Sequence, residues 1–314
     1  MPVPRACPIC THAPQHPIPY RGRAWLPVQP VICQQCALVF INPMYTSAEK
    51  EALAPCVRAL HRPVRFGRPI QRAHHRELPA ARRFLAFARP YLNPGDEVLD
   101  IGCGDGALLR TLCQAGAAAC GIDLDPEGAR FIEQTYGIPV QVGAFEEADF
   151  QGRCFDAVVA THVIEHFFEP IEALKKMRTL LKPGGVVVLE TPNILRPKVG
   201  FRRLFSVPHN YYFSPRTLCV ALQRAGLETI AIREFFRDSF LIAARPAPPE
   251  APALPLPADS WQHVLARILS HDLRYKTSLQ FVWRKIPGLK RAIMYRVYRD
   301  LAGQDLARWL ARAA

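Results

Sequence analysis

Long apolar runs are missing from this chain. No stretch of its 314 residues approaches the roughly 18 to 20 apolar residues of a membrane-spanning helix. The opening MPVPRACPIC lacks the apolar segment of a secretory signal peptide. A cytoplasmic, reducing location is therefore expected, and it removes disulfides as the default use of the ten cysteines. Acidic residues are scarce at both ends. Residues 1–90 hold 3 Asp/Glu against 13 Lys/Arg, and residues 261–314 hold 3 against 11. Residues 91–260 hold 21 against 16, so the net charge of +13 comes from two basic ends around an acidic middle. Basic ends fit nucleic acid, an anionic membrane surface or a phosphorylated substrate; solvated Arg-rich helix faces fit equally. With 49% hydrophobic residues, the chain can bury a core as one medium domain with additions, or as two domains.

The cysteines that are present are patterned. CPIC (Cys7, Cys10) and CQQC (Cys33, Cys36) are two C-x-x-C pairs with 22 residues between them. Each pair can set two thiolates on a tight turn, and two such turns supply the four sulfurs of a closed tetrahedral zinc site. A short hairpin would span the separation. A redox dithiol is the alternative, but it needs only one pair. Four thiolates leave no open position for catalysis, so a structural metal is expected. Zinc knuckles often carry Gly just after the second Cys, where this chain has Thr11 and Ala37.

The acidic middle alternates strands and helices. EVLDIGCGDGALLRTLCQAG reads as a strand over Glu97–Ile101, a turn with Gly102, Gly104 and Gly106, and a helix with a stripe from Ala107 through Leu112. AACGIDLDP is a second strand ending in Asp123. FDAVVA is a strand over Phe155–Ala160, and Val186–Glu190 is another after a Pro-Gly-Gly turn. TIAIREFFRDSFLIAARP reads as two strands around a short turn. The expected fold class is α/β with a doubly wound sheet, whose ligands bind past the carboxyl ends of the strands. Asp123, at such an end, can accept hydrogen bonds from ribose hydroxyls. The glycine spacing is D-x-G-x-G-x-G, not the G-x-G-x-x-G that fits a dinucleotide pyrophosphate.

THVIEHFFEP contains His162-Val-Ile-Glu165-His166, an H-x-x-E-H pattern. On a helix it is a zinc-peptidase signature. Zinc at His162 and His166 would need a third ligand, and no downstream acid stands out.

DIGCGDG followed by GIDLDP, FDAVVATHVIEHFFEP and LKPGGVVVLETPN resembles a class I S-adenosylmethionine-dependent methyltransferase over about residues 91–245. The resemblance implies a seven-stranded Rossmann-like sheet closed by an antiparallel hairpin. It places H-V-I-E-H after the fourth strand of that sheet, not on a peptidase helix. Asp100, Gly102, Cys103, Gly104 and Gly106 would then line the methionine and ribose end of the cofactor. Asp123 would take the ribose hydroxyls, and Thr161 and His162 would lie beside the cofactor. VGAFEEADF resembles the third cofactor segment, but Ala144 replaces the acid that often meets the adenine amino group; Phe145 is the residue left to flank the ring.

PHNYYFSPRTL resembles a segment of small-molecule members of that family, with Ser214 a helix cap and Pro215 at the first position. A protein that uses an activated methyl donor must position the acceptor and take its proton, which suits a His with pKa near neutrality. His209 is the first choice of base and His166 the second, each with a purely structural role as the alternative. Tyr211 and Tyr212 are expected to line the pocket.

The expected organisation is a zinc-ribbon-like module (1–45), a helical connector (46–90), the methyltransferase domain (91–245), a Pro-rich linker (246–260) and a basic helical extension (261–314). The four-cysteine module followed by LVFINP and this fold resembles bacterial methyltransferases of sugar or secondary-metabolite pathways. The leading expectation is methyl transfer to an O, N or C atom of a small-molecule acceptor. An RNA methyltransferase gripping phosphates through zinc module and basic ends is the second reading, although no Asn-Pro-Pro-Tyr-like motif follows the fourth strand. A non-catalytic cofactor-binding protein is the third. Trp261, Leu265, Ile268 and Leu269, and then Ile293, Val297 and Leu301, recur at helical spacing around a break at Pro287-Gly288. That extension reads as a cap on the enzyme or as a membrane-surface helix, with the cap preferred.

Overall fold

The computed structural model describes residues 5–19, 28–46, 70–197, 199–205, 209–235, 239–248 and 260–277. Most of the Pro-rich linker, the connector before residue 70, and the extension beyond residue 277 with its Pro287-Gly288 break lie outside the described residues.

Near the amino end, β1 (Gln15–Pro17), β2 (Pro30–Cys33) and β3 (Val39–Ile41) form antiparallel pairs. Helix α1 (Ile70–Ala88) then leads into β4 (Glu97–Ile101), α2 (Ala107–Gln114), β5 (Ala118–Asp123), α3 (Pro126–Tyr136) and β6 (Val140–Val142). After these come β7 (Phe155–Thr161), α4 (Pro170–Thr179), β8 (Leu181–Pro192), α5 (Phe201–Leu204) and β9 (Tyr211–Tyr212). The described chain finishes with α6 (Pro215–Arg224), β10 (Leu227–Glu234), β11 (Ser239–Pro246) and α7 (Trp261–Thr277).

Seven strands form one sheet in the order β10-β11-β8-β7-β4-β5-β6. Strands β6, β5, β4, β7 and β8 run parallel, and β11 and β10 add antiparallel at one edge. The central strands are apolar runs because helices cover both faces: Val98–Leu99, Ala157–Ala160 and Val186–Leu189 are all buried. The order starts at β4 and goes outward both ways. A crevice therefore opens at the carboxyl ends of β4, β5 and β7, where such sheets bind ligands.

The caps follow the sequence. Asp125 accepts from the Glu127 amide with Pro126 at the first helical position of α3. Ser214 and Thr217 form a reciprocal capping box at the start of α6, again with Pro in the first turn. The seven strands and the closing hairpin agree with the expected fold. Helix α1 lies in the expected helical connector, and β8 runs on through the Pro-Gly-Gly turn from Leu181.

A second sheet has the order β1-β2-β3-β9. Its outer strand comes from far along the chain, pairing Val39 with Tyr212 and Phe40 with Tyr211. Helix α7 packs here: Val264 and Ile268 are buried with Ile32, Phe201 and Phe205. The Trp261 ring lies 4.8 Å from that of His16, and buried Asp272 accepts from the Phe201 amide at 2.8 Å. Removing residues 260–314 is therefore expected to lower the melting temperature by a few degrees, roughly 2 kcal/mol of lost apolar burial. Binding to anionic vesicles should stay unchanged. A truncated protein that melts at the original temperature and loses salt-sensitive flotation would make the extension a membrane element instead.

Candidate functional site

Strand β4 delivers Asp100 to the crevice and then turns sharply. Gly102, Gly104 and Gly106 all have positive φ, 68°, 57° and 75°. At Gly102 a Cβ would stand 2.4 Å from Val163 Cγ2, so β4 and the loop after β7 meet through the missing side chain. At Gly104 the added atom would meet nothing closer than 4.0 Å, leaving the backbone open to the crevice. Cys103 is buried, its Sγ over Gly121 of β5.

Asp123 braces this turn. Its Oδ2 accepts the Gly104 amide at 2.7 Å and its Oδ1 the Asp125 amide at 2.9 Å. A carboxylate has about four acceptor positions, so two remain for a ligand. Asp100 is fully buried, and its Oδ2 has no hydrogen-bond partner among the described residues. Burial, then the charges of Asp123 and Asp105, push its carboxyl well above the ordinary value. A cationic donor beside Asp100 would relieve both effects.

At the end of β7, Thr161 has a buried hydroxyl with no partner among the described residues. His162 follows with φ 56°, a left-handed conformation uncommon for a non-glycine residue. The H-x-x-E-H segment is a turn, not a helix, so its histidines do not share a helical face. His162 instead lies between two buried carboxylates, Nδ1 3.5 Å from Glu165 Oε1 and Nε2 4.0 Å from Glu190 Oε1. Glu190, near the end of β8, accepts from Arg83 Nη2 and Ser239 Oγ, both at 2.7 Å. Glu165 Oε2 accepts from Thr191 Oγ1 at 3.0 Å.

His166 and His209 come together although 43 residues separate them in sequence. Their rings are 4.8 Å apart, edge to face, and His209 is 5.7 Å from the Tyr212 ring. Ligand atoms of Glu165, His166 and His209 all lie within 4.8 Å of one another. Burial works to raise the Glu165 carboxyl. The His162 hydrogen bond and the His166, His162 and His209 charges outweigh it and hold the group down to about 2.

The four N-terminal cysteines converge as well. Cys7 Sγ is 3.5 Å from Cys36 Sγ, and Cys10 Sγ is 3.4 Å from Cys33 Sγ; all four are buried. Thr11 and Ala37, at the positions where Gly is usual, have φ of 60° and 58°. Their amides return to the Cys7 and Cys33 carbonyls at 2.8 and 3.0 Å, and the Gln35 amide points at Cys33 Sγ.

Comparison with known proteins places this geometry. A family model for a methyltransferase domain matches residues 72–232, just over half of the chain. The chain belongs to the methyltransferase-domain family. The ubiquinone biosynthesis O-methyltransferase of Xanthomonas campestris pv. campestris (strain B100) is 36% identical over 106 residues, 32% of this chain and 44% of that protein. The chain thus spans less than half the length of that relative. The protein of the same name from Xanthomonas axonopodis pv. citri (strain 306) is 31% identical over 162 residues, 46% of this chain and 68% of that protein. Among solved structures, the Burkholderia thailandensis 1,6-didemethyltoxoflavin-N1-methyltransferase, with bound 1,6-didemethyltoxoflavin and S-adenosylhomocysteine, gives a TM-score of 0.53. It is 19% identical and covers 74% of this chain and 100% of that one, a likeness of fold.

In this chain the expected cofactor residues Asp100, Gly102, Cys103, Gly104 and Gly106 follow one another at the end of β4, Asp123 reaches the same turn from the end of β5, and Thr161 ends the neighbouring β7 with His162 just after it. Phe145 is only 4% exposed, its ring packed 5.9 Å from Phe167 and 6.1 Å from Phe150. Two apolar residues that sequence reasoning missed are open beyond β5 and on β6: Leu124, 74% exposed, and Val142, 52% exposed. Alternation along a strand marks such positions as outward-facing but does not single them out. The expected pocket-lining Tyr211 and Tyr212 are both buried, with the Tyr211 hydroxyl donating to the Phe168 carbonyl at 2.7 Å. Among the described residues, no helix is long and apolar enough to cross a membrane.

Proposed function

We propose that the protein transfers a methyl group from S-adenosylmethionine to an O, N or C atom of a small-molecule acceptor, and that Cys7, Cys10, Cys33 and Cys36 hold a structural zinc ion. The observation that carries the first half is buried Asp100, with an unpartnered oxygen beside an open glycine turn. That donor-hungry carboxylate suits the cofactor's ammonium group, and the two spare acceptor positions of Asp123 suit ribose hydroxyls. When bound, S-adenosylmethionine supplies a sulfonium-activated methyl for in-line displacement. The chain's own part is to hold the acceptor and to remove its proton. His209 is the proposed base and His166 the alternative. Glu165, held ionised, steadies either as an imidazolium when the proton arrives. Thr161 and His162 would flank the cofactor, and Phe145 would back the adenine side together with Leu124 and Val142.

The relatives named for ubiquinone biosynthesis support a small-molecule acceptor, and the name O-methyltransferase favours oxygen as the atom methylated. For the zinc, tetrahedral Zn–S bonds of about 2.3 Å require sulfurs about 3.8 Å apart. The four sulfurs, 3.5 and 3.4 Å apart in two pairs and all within 4.8 Å of one another, are close to that arrangement.

Incubating the protein with methyl-labelled cofactor and bacterial extract, then separating RNA, lipid and small-molecule fractions, tests the reading. Label in the small-molecule or lipid fraction supports it; label in RNA overturns the acceptor class. Asp123→Ala is expected to weaken binding of S-adenosylhomocysteine by roughly 1–3 kcal/mol in calorimetry, because polar partners and the Gly104 amide lose their acceptor. Unchanged affinity would remove Asp123 from the site.

A further inference from the structure

The segment that carries His209 belongs to two structural units at once. Asn210, the next residue, is 2% exposed, and its polar groups are divided between them. Its carbonyl accepts the Ile41 amide at 2.9 Å, extending the sheet of the cysteine module. Its backbone amide donates to the Glu165 carbonyl at 2.9 Å. Its side-chain Nδ2 donates to the carbonyls of His166 and Phe167 at 2.8 and 2.9 Å. The neighbouring Tyr211 amide also reaches Glu165 O at 3.2 Å. From the module itself, Arg5 reaches the Phe168 carbonyl and pairs with Glu169. The carbonyls of residues 165–168 all accept hydrogen bonds. Donors from β9, Asn210 and Arg5 satisfy them.

We propose that Asn210 is a positioning residue that ties the cysteine module to the loop bearing Glu165 and His166, so that the module sets the contact between His166 and His209. The glycine turn and Asp123 hold the cofactor end without any of these bonds. Naming the two sides as cofactor and acceptor rests on the proposed function; the mechanical link does not. An amide suits this place because both N–H groups of Nδ2 face successive carbonyls. Leucine has nearly the same shape and no donor, so it would leave two buried carbonyls unpaired.

The test uses full-length protein labelled with 15N-histidine, with imidazole resonances assigned through His166→Gln and His209→Gln. Asn210→Leu should move the His166 and His209 imidazole signals and their titration midpoints. It should lower exchange protection of the Ile41 and Tyr211 amides by about tenfold. Affinity for S-adenosylhomocysteine should stay within about twofold. Opening the module with Cys36→Ser should move the same two imidazoles in the wild-type background. In the Asn210→Leu background it should move them little further, since the link is already cut. If Asn210→Leu does not fold, Asn210→Ser, which keeps one donor, is read the same way. Unchanged His166 and His209 signals with a lowered melting temperature would make Asn210 a packing residue and overturn the proposal. So would a Cys36→Ser shift of equal size in both backgrounds. Failure of the wild-type protein to bind S-adenosylhomocysteine would defeat the functional reading and leave the link to be judged on the imidazoles.

Discussion

Protein prepared without chelator is expected to contain about one zinc ion per chain, and changing both Cys7 and Cys10 to Ser should abolish it. This is the largest single effect anticipated, because a structural zinc site contributes about 10–16 kcal/mol of apparent binding free energy. Besides the metal, the module is held by its pairing with β9 and by the packing of α7. Strands β1, β2 and β3 have 3, 4 and 3 residues, too short to be stable as an isolated sheet. Its buried side chains, such as Ile9, Leu38 and Phe40, lie in the main core beside the four cysteines, so opening the two C-x-x-C turns would disturb them. Chelation should therefore speed amide exchange across residues 5–46 far more than across β4, β7 and β8, whose bonds do not involve the metal. Metal analysis finding no zinc, or zinc retained after both substitutions, would refute the site.

The two C-x-x-C turns were legible from spacing alone because each turn is local. What spacing did not show is how Thr11 and Ala37 serve where Gly is usual. Both take positive φ, a strain of about 1–2 kcal/mol apiece that the returning Cys7 and Cys33 carbonyls and a bound ion would offset. The glycine turn and its strand were legible for the same local reason: β4, Asp100 and the start of α2 fall within twelve residues of sequence. Asp123 was read as a ribose acceptor, and its bond to the Gly104 amide was not foreseen. Nothing in the sequence linked positions 104 and 123 beyond their motifs. The pairing of β3 with β9 joins residues 39–40 to 211–212, and a two-residue strand carries no periodicity to detect. That pairing is what brings the N-terminal module up to the segment that carries His209.

The H-x-x-E-H string was ambiguous because its meaning depends on backbone shape. A helix would align His162 with His166. The observed turn, with His162 at positive φ, instead brings His162, His166 and the distant His209 around one carboxylate. His209 could not be assigned to this group from spacing, since its approach depends on β9.

Glu165 is then expected to contribute acid-sensitive stability. Its carboxyl is held down to about 2 from an ordinary 4.5, so the folded state binds the Glu165 proton less readily than the unfolded chain. For a group lowered in this way the stabilisation is fully present above about pH 4.5 and disappears as pH falls toward 2. The difference amounts to about 3 kcal/mol. Glu165→Gln keeps the shape and the Thr191 contact but removes the charge. In urea unfolding it should therefore cost about 3 kcal/mol at pH 5, and the gap to wild type should narrow steadily toward pH 2.5. A gap that stays constant across that range would mean the imidazoles do not hold Glu165 ionised, and Glu165 would then serve only as a hydrogen-bond acceptor for Thr191.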